Sequence, residues 1–173
     1  NGAGKSTLMK VLSGVHPHGT YEGEIFFDGQ ECTFSDIKSS EAKGIAIIHQ
    51  ELALSPFLSI AENIFLGRQP TGRAGSIDWA AMNRQARKLL DSVNTPISER
   101  ELVSSLSVGQ MQMVEIAKAL SFSADVIIMD EPTAALTGKE VDALFDNIRD
   151  LRAKGVAICY ISHRLEEIKR IAD

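Results

Sequence analysis

The chain has 173 residues, with 18 basic and 23 acidic side chains and a net charge of −5. That length suits one domain with a sizeable buried core. The 44% apolar and 24% charged content is that of a globular protein and excludes collagen, coiled coil and wholesale disorder. The acidic balance supplies no basic stripe, so no nucleic-acid partner is expected. Cys32 and Cys159 form no CxxC pair and no zinc spacing, which points to a reducing compartment. No apolar run approaches the roughly 18 residues of a membrane-spanning helix. The sequence opens on Asn1 rather than Met, so it reads as a piece of a longer protein.

In chain order, Asn1-Gly2-Ala3-Gly4-Lys5-Ser6-Thr7 reads as a glycine-rich turn opening a helix, with Leu8, Val11 and Leu12 at helical spacing. Gly14 to Gly19 is a loop containing His16 and His18. Glu24–Asp28 is a strand ending in an Asp28-Gly29 turn, and Ile45–His49 a short buried strand. A Gly-rich stretch over Thr71–Ser76 precedes a helix over Ile77–Val93. Trp79, Met82, Ala86, Leu89 and Leu90 mark its apolar face, and Asp78 suits its positive end. A helix over Ser107–Leu120 carries Met113, Ile116, Ala117 and Leu120 on one face. The strand Asp125–Asp130 leads to an amphipathic helix over Lys139–Ala153, which Gly155 stops. Val156–Ser162 is the last strand, followed by a helix from Arg164. Continuous apolar strands alternating with helices predict an α/β fold with a mainly parallel sheet. The stretch of about 77–122 has no strong strand and reads as an inserted helical subdomain.

Five short motifs carry chemistry. Gly4-Lys5-Ser6-Thr7 is the latter part of a phosphate-binding loop. Glycines turn backbone N–H groups toward phosphate, the helix start favours an anion, Lys5 adds mobile charge, and the Ser6 hydroxyl suits Mg²⁺. The alternative is a Gly-rich turn capped by Ser6. Val126-Ile127-Ile128-Met129-Asp130-Glu131 is an apolar strand delivering two acids to its carboxyl end, where open α/β sheets bind ligands. Asp130 fits a metal-facing role and Glu131 a general base, or both are solvated acids closing a strand. Leu106-Ser107-Val108-Gly109-Gln110 offers a second helix-start anion site or a plain N-cap. His163 follows a strand, where a lone histidine is usually structural. Gln50 closes another strand, either bonding a metal-bound water or merely ending the strand.

Lys5, Gln50, Ser107, Asp130, Glu131 and His163 lie 45, 57, 23, 1 and 32 residues apart in turn. In this order and spacing, NGAGKST, IIHQE, LSVGQ, VIIMDEP and ISHR resemble the ATP-binding subunit of ABC transporters over nearly the whole chain. GKSTLMKVLSG, GIAIIHQELAL, LSIAENIFLG and EPTAALT look like bacterial monosaccharide importers, and PHGTYEGE like their xylose and multiple-sugar branch. The resemblance implies a P-loop NTPase fold of ABC type, truncated at both ends: one partial nucleotide-binding domain over 1–173, its tandem partner lying outside the sequence. As an isolated piece it would lack a central strand and fold marginally.

The resemblance further implies that two such domains close head to tail on ATP and Mg²⁺. Asn1 through Thr7 would cradle phosphates, with Ser6, Gln50 and Asp130 toward the metal. Glu131 would polarise the attacking water and His163 contact the γ-phosphate. Ser107, Gly109 and Gln110 would face the partner domain's ATP. Permease subunits would dock near 51–67 through Leu54, Pro56, Phe57 and Leu58, or these four pack the helical subdomain. A periplasmic sugar-binding protein would take part indirectly, and the chain would sit on the cytoplasmic face of the bacterial inner membrane. The departures are Val108 in the family's signature motif, Leu106-Ser107-Val108-Gly109-Gln110, and Thr137 where many relatives carry aspartate. The alternatives are a non-transport ABC ATPase working on ribosomes or DNA, and a nucleotide-binding regulatory domain without hydrolysis.

Overall fold

A computed structural model describes residues 4–73 and 75–172, except the side chain of Ser6. Seven α-helices and five strands are found among them. Helix α1 spans Lys5–Leu12 and is followed by a hairpin of β1 (Phe26–Phe27) and β2 (Gln30–Glu31). Asp28 and Gly29 both take positive φ, 51° and 72°, as a two-residue Asp-Gly hairpin requires. The expected strand 24–28 is therefore one arm of a short hairpin.

Helix α2 (Ile37–Ala42) leads into β3 (Ile45–Ile48), then α3 (Ile60–Ile64), α4 (Trp79–Ser92) and a 3₁₀ turn at Val103–Ser105. Helix α5 (Val108–Leu120), β4 (Val126–Asp130), α6 (Gly138–Ala153), β5 (Ala157–Ile161) and α7 (Leu165–Ile171) complete the order. Periodicity did not reveal α2 and α3, because six and five residues are too few to show it. Both have capping boxes, Asp36 with Ser39 and Ser59 with Glu62, of which only Ser59-x-x-Glu62 has the sequence signature.

The larger sheet is parallel in the order β3-β4-β5, pairing Ile48 with Met129 and Asp130 with Ile161. Strand alternation divides the core. Ile45 and Ile128 meet Met9, Cys32 and Phe34 on one face. Ala46, Ile48, Ile127 and Met129 meet the helices on the other, where Val114, Ile116, Leu144 and Phe145 are fully buried. This second core runs without a break to Met82, Ala86 and Leu90 of α4.

Two expected core residues face solvent instead. Leu8 is 60% exposed, and Met9 and Leu12 are the residues of α1 that pack on the sheet. Trp79 is 51% exposed because, as the first residue of α4, it lies beyond the turn that packs on the core.

Candidate functional site

The sheet register gathers four of the expected residues on one edge. Gln50 lies two residues past Ile48, and Ile48 pairs with Met129, which Asp130 and Glu131 follow. Asp130 pairs with Ile161, two residues before His163. Gln50, the two acids and His163 therefore leave the carboxyl ends of three adjacent parallel strands. Asp130 shares strand parity with Val126 and Ile128, so it belongs to the sheet face on which α1 packs.

Glu131 and His163 are in direct contact, Glu131 Oε2 lying 3.1 Å from His163 Nδ1. The carboxylate side chain is 24% exposed and the imidazole 66%, so the pair opens to solvent on the histidine side. Glu131 sits in the left-handed region at φ 49°, and its N–H donates to the Ile161 carbonyl at 2.9 Å. That bond ties the turn after β4 to the end of β5. His163, which the sequence offered only as a lone histidine after a strand, thus has a carboxylate beside it.

Helix α1 starts immediately after Gly4, which takes φ 75° and offers no side chain to cap the helix. Among the described residues, a Cβ built at Gly4 would meet nothing within 4 Å, and Lys5 is exposed at the first position. A helix start with no side-chain cap from Gly4 suits an anion. Asn1, Gly2, Ala3 and the Ser6 side chain lie outside the described residues. Thr7 is exposed.

Gln50 is exposed in the bend after β3. The segment behind it is anchored from two sides. Ala53 N–H donates to Glu115 of α5 at 2.9 Å, and Ser55 N–H donates to the buried Asn63 at 2.7 Å. Burial pushes the Glu115 carboxyl above its ordinary value, against the lowering influence of Lys118 and the Ala53 bond. Of the four apolar residues expected to dock a partner, Leu54 packs on the core, Leu58 is half-buried and Pro56 is exposed. Phe57 is 85% exposed.

The signature residues form a capping box on α5. Gln110 N–H donates to Ser107 Oγ at 3.2 Å, and Ser107 N–H donates to Gln110 Oε1 at 2.9 Å. The plain N-cap reading is thus present, and a second feature accompanies it. Glu140 Oε1 accepts from Ser107 Oγ at 3.1 Å and from Gly109 N–H at 3.2 Å. Its Oε2 accepts from Thr137 N–H and Oγ1, both at 2.9 Å. The bonds from Thr137 hold the Glu140 carboxyl below its ordinary range. Thr137 thereby shares one carboxylate with Ser107 and Gly109. Glu140 escaped the sequence reading, although Thr137-x-x-Glu140 has capping-box spacing.

Among the described residues, no cluster of three or more His, Cys, Asp or Glu side chains is placed to hold a metal. An ion at Asp130 would need oxygen ligands from phosphate and water as well, which is the habit of Mg²⁺.

The sequence model of the ABC transporter family matches residues 1–134. The chain belongs to the ABC transporter family. Over its whole length it is 56% identical to the ribose import ATP-binding protein RbsA of Chromobacterium violaceum, of which it covers 34%. It is 54% identical to the xylose import ATP-binding protein XylG of Escherichia coli O157:H7, and 53% to the L-arabinose transport ATP-binding protein AraG of Geobacillus stearothermophilus, again covering 34% of each. The chain thus spans about a third of the length of the curated relatives it matches. Among solved structures, the ADP conformation of an ATP-binding cassette of an ABC transporter superposes with a TM-score of 0.81 at 26% identity, covering 99% of this chain and 70% of that one. A nucleotide-free cassette gives 0.79 at 25% identity, covering 99% and 70%. The α/β fold with its parallel sheet is therefore that of ABC cassettes.

Proposed function

We propose that this chain is part of an ATP-hydrolysing subunit that powers import of a monosaccharide through a membrane permease. The observation that carries the reading is the Glu131–His163 contact at the carboxyl edge of the sheet, 3.1 Å between Oε2 and Nδ1. Sugar import in the names of the relatives supports the substrate class.

In this reading the α1 N-terminus and Lys5 hold the phosphates of ATP, and Asp130, with Ser6 and Gln50, serves Mg²⁺. The ion supplies charge neutralisation at the phosphates. Glu131 accepts a hydrogen bond from the attacking water and orients it, and His163 keeps the Glu131 carboxylate aimed while its ring faces the nucleotide. Positioning and charge, rather than a covalent intermediate, carry the chemistry. Ser107, Gly109 and Gln110 serve the ATP of a second nucleotide-binding domain, in tandem or in a dimer, so neither half is complete alone. Residues 77–122 act as a helical subdomain. The exposed Phe57 meets the permease, and a periplasmic sugar-binding protein acts indirectly. The subunit works at the cytoplasmic face of the inner membrane. Among the described residues, no helix is long and apolar enough to cross it.

The test is Mg²⁺-dependent ATP hydrolysis by the intact subunit reconstituted with its permease, native against Glu131→Gln. Turnover falls by about a hundredfold or more with ATP binding retained, as loss of a general base dictates. Unchanged turnover would remove hydrolysis from this domain.

A further inference from the structure

Glu167 lies in the first turn of α7, yet it is only 6% exposed. Four side chains donate to its carboxylate. Thr133 Oγ1 reaches both oxygens at 2.9 Å, Tyr160 OH and Ser162 Oγ reach Oε2 at 2.9 and 2.7 Å, and Arg164 Nη1 reaches Oε1 at 3.2 Å. The donors come from the turn after β4, from β5 and from the turn after β5. They flank the candidate catalytic pair on both sides. Thr133 is two residues past Glu131, and Ser162 and Arg164 are the immediate neighbours of His163. Arg164 N–H also donates to Ser162 Oγ at 3.0 Å, closing the turn around the histidine.

An acceptor-only group facing four donors is the right chemistry for a buried junction, since each hydroxyl hydrogen can turn toward it. Burial pushes the Glu167 carboxyl up, but the bonds from Ser162, Thr133, Tyr160 and Arg164 outweigh it, and the group stays ionised. Glu131 and His163 belong to different turns, and among the described residues only the Glu131 N–H to Ile161 carbonyl bond joins those turns through the main chain.

We propose that Glu167 is a positioning residue for hydrolysis, fixing the Glu131 turn against the His163 turn through Thr133, Ser162 and Arg164. Among the described residues, no hydrogen bond or ion pair joins it to Glu131 or His163, and it acts through the two backbones. The proposal rests on the hydrolytic reading of that pair. A displacement of about 1 Å between reacting groups costs on the order of a hundredfold in rate, so partial loosening is expected to cost about tenfold.

The intact subunit with its permease carries the test, comparing native, Glu167→Gln, Thr133→Val and Thr133→Ser. The amide of Glu167→Gln turns an N–H₂ toward a donor and breaks the junction while keeping the shape. The expected result is a kcat about tenfold lower with KM for ATP within about twofold. Thr133→Val lowers kcat by about threefold, and Thr133→Ser, which keeps the hydroxyl, restores it. A lower thermal midpoint with native kcat in both Glu167→Gln and Thr133→Val would overturn the proposal and leave Glu167 a fastening for α7. If Glu167→Gln fails to fold, the Thr133 pair decides by the same criteria. Glu131→Gln, measured alongside, separates the two ideas. Native turnover there removes the hydrolytic reading itself, whereas its loss with unaffected Glu167 and Thr133 variants removes only the positioning role.

Discussion

At Glu131 the backbone and the side chain ask for different residues. A φ of 49° is easiest for glycine or asparagine, and a glutamate held there costs on the order of 1 kcal/mol. The neighbouring structure holds it there: the Glu131 N–H is bound to the Ile161 carbonyl. The pattern of an apolar strand ending in two acids was visible in the sequence. The special backbone was not, because it arises from the bond to a strand 30 residues downstream. A substitution that relieves the backbone alone, Glu131→Gly, is expected to abolish turnover as fully as Glu131→Gln while leaving the thermal midpoint at or above the native value. Scanning calorimetry and a phosphate-release assay on the same sample check both halves.

At the scale of elements, the junction of α5 and α6 leaves no free space for a side chain at position 109. A Cβ there would collide with the Glu140 side chain, whose carboxylate receives the Gly109 N–H. Gly109→Ala must therefore push Glu140 away from Ser107 and Thr137 together. The predicted outcome is a drop in ATP turnover of about tenfold with ATP affinity at the Lys5 side of the site nearly unchanged, because Lys5 and α1 lie on separate elements. Steady-state kinetics against a nucleotide-binding titration measures it, and equal losses in both would contradict it. The helix starts themselves were readable. Ser107, Asp78 and Thr137 were each one residue before a helix, and the boundaries differ from the expected ones by two residues or fewer at these starts. The linkage of two helix caps through one glutamate needed the packed structure.

For the whole molecule, the core and the acid limb make separate demands. Phe145 is fully buried, edge-to-face on Tyr160 at 5.9 Å, with the Arg170 guanidinium 4.7 Å from its ring. Phe145→Ala is expected to destabilise by about 3–5 kcal/mol, read as a lower denaturation midpoint of the intact subunit. Glu167 adds a pH dependence. Its folded carboxyl lies below its ordinary value, so its stabilisation is complete above the unfolded carboxylate range, near pH 4.3 or so, and fades as pH falls through the lower folded value. Burial pushes Glu115 and Glu41 the other way, so acid relieves part of their cost. The thermal midpoint of the native protein is expected to fall between about pH 5 and pH 3 more steeply than that of Glu167→Gln. Parallel slopes would show that other carboxylates govern the acid limb.

Local chemistry was enough to place the parallel strands, the longer helices, the two acids after β4 and the signature cap, since each rests on period, composition or residues within one turn. Five motifs in order then fixed the family. Tertiary structure alone decided that His163 pairs with Glu131, that Glu140 serves Ser107 and Thr137 at once, and that a helix-start glutamate, Glu167, is buried under four donors. Those contacts join residues 32, 33 and 34 positions apart across different elements. No periodicity spans such distances, and a carboxylate in the first turn of a helix reads the same whether water or protein solvates it.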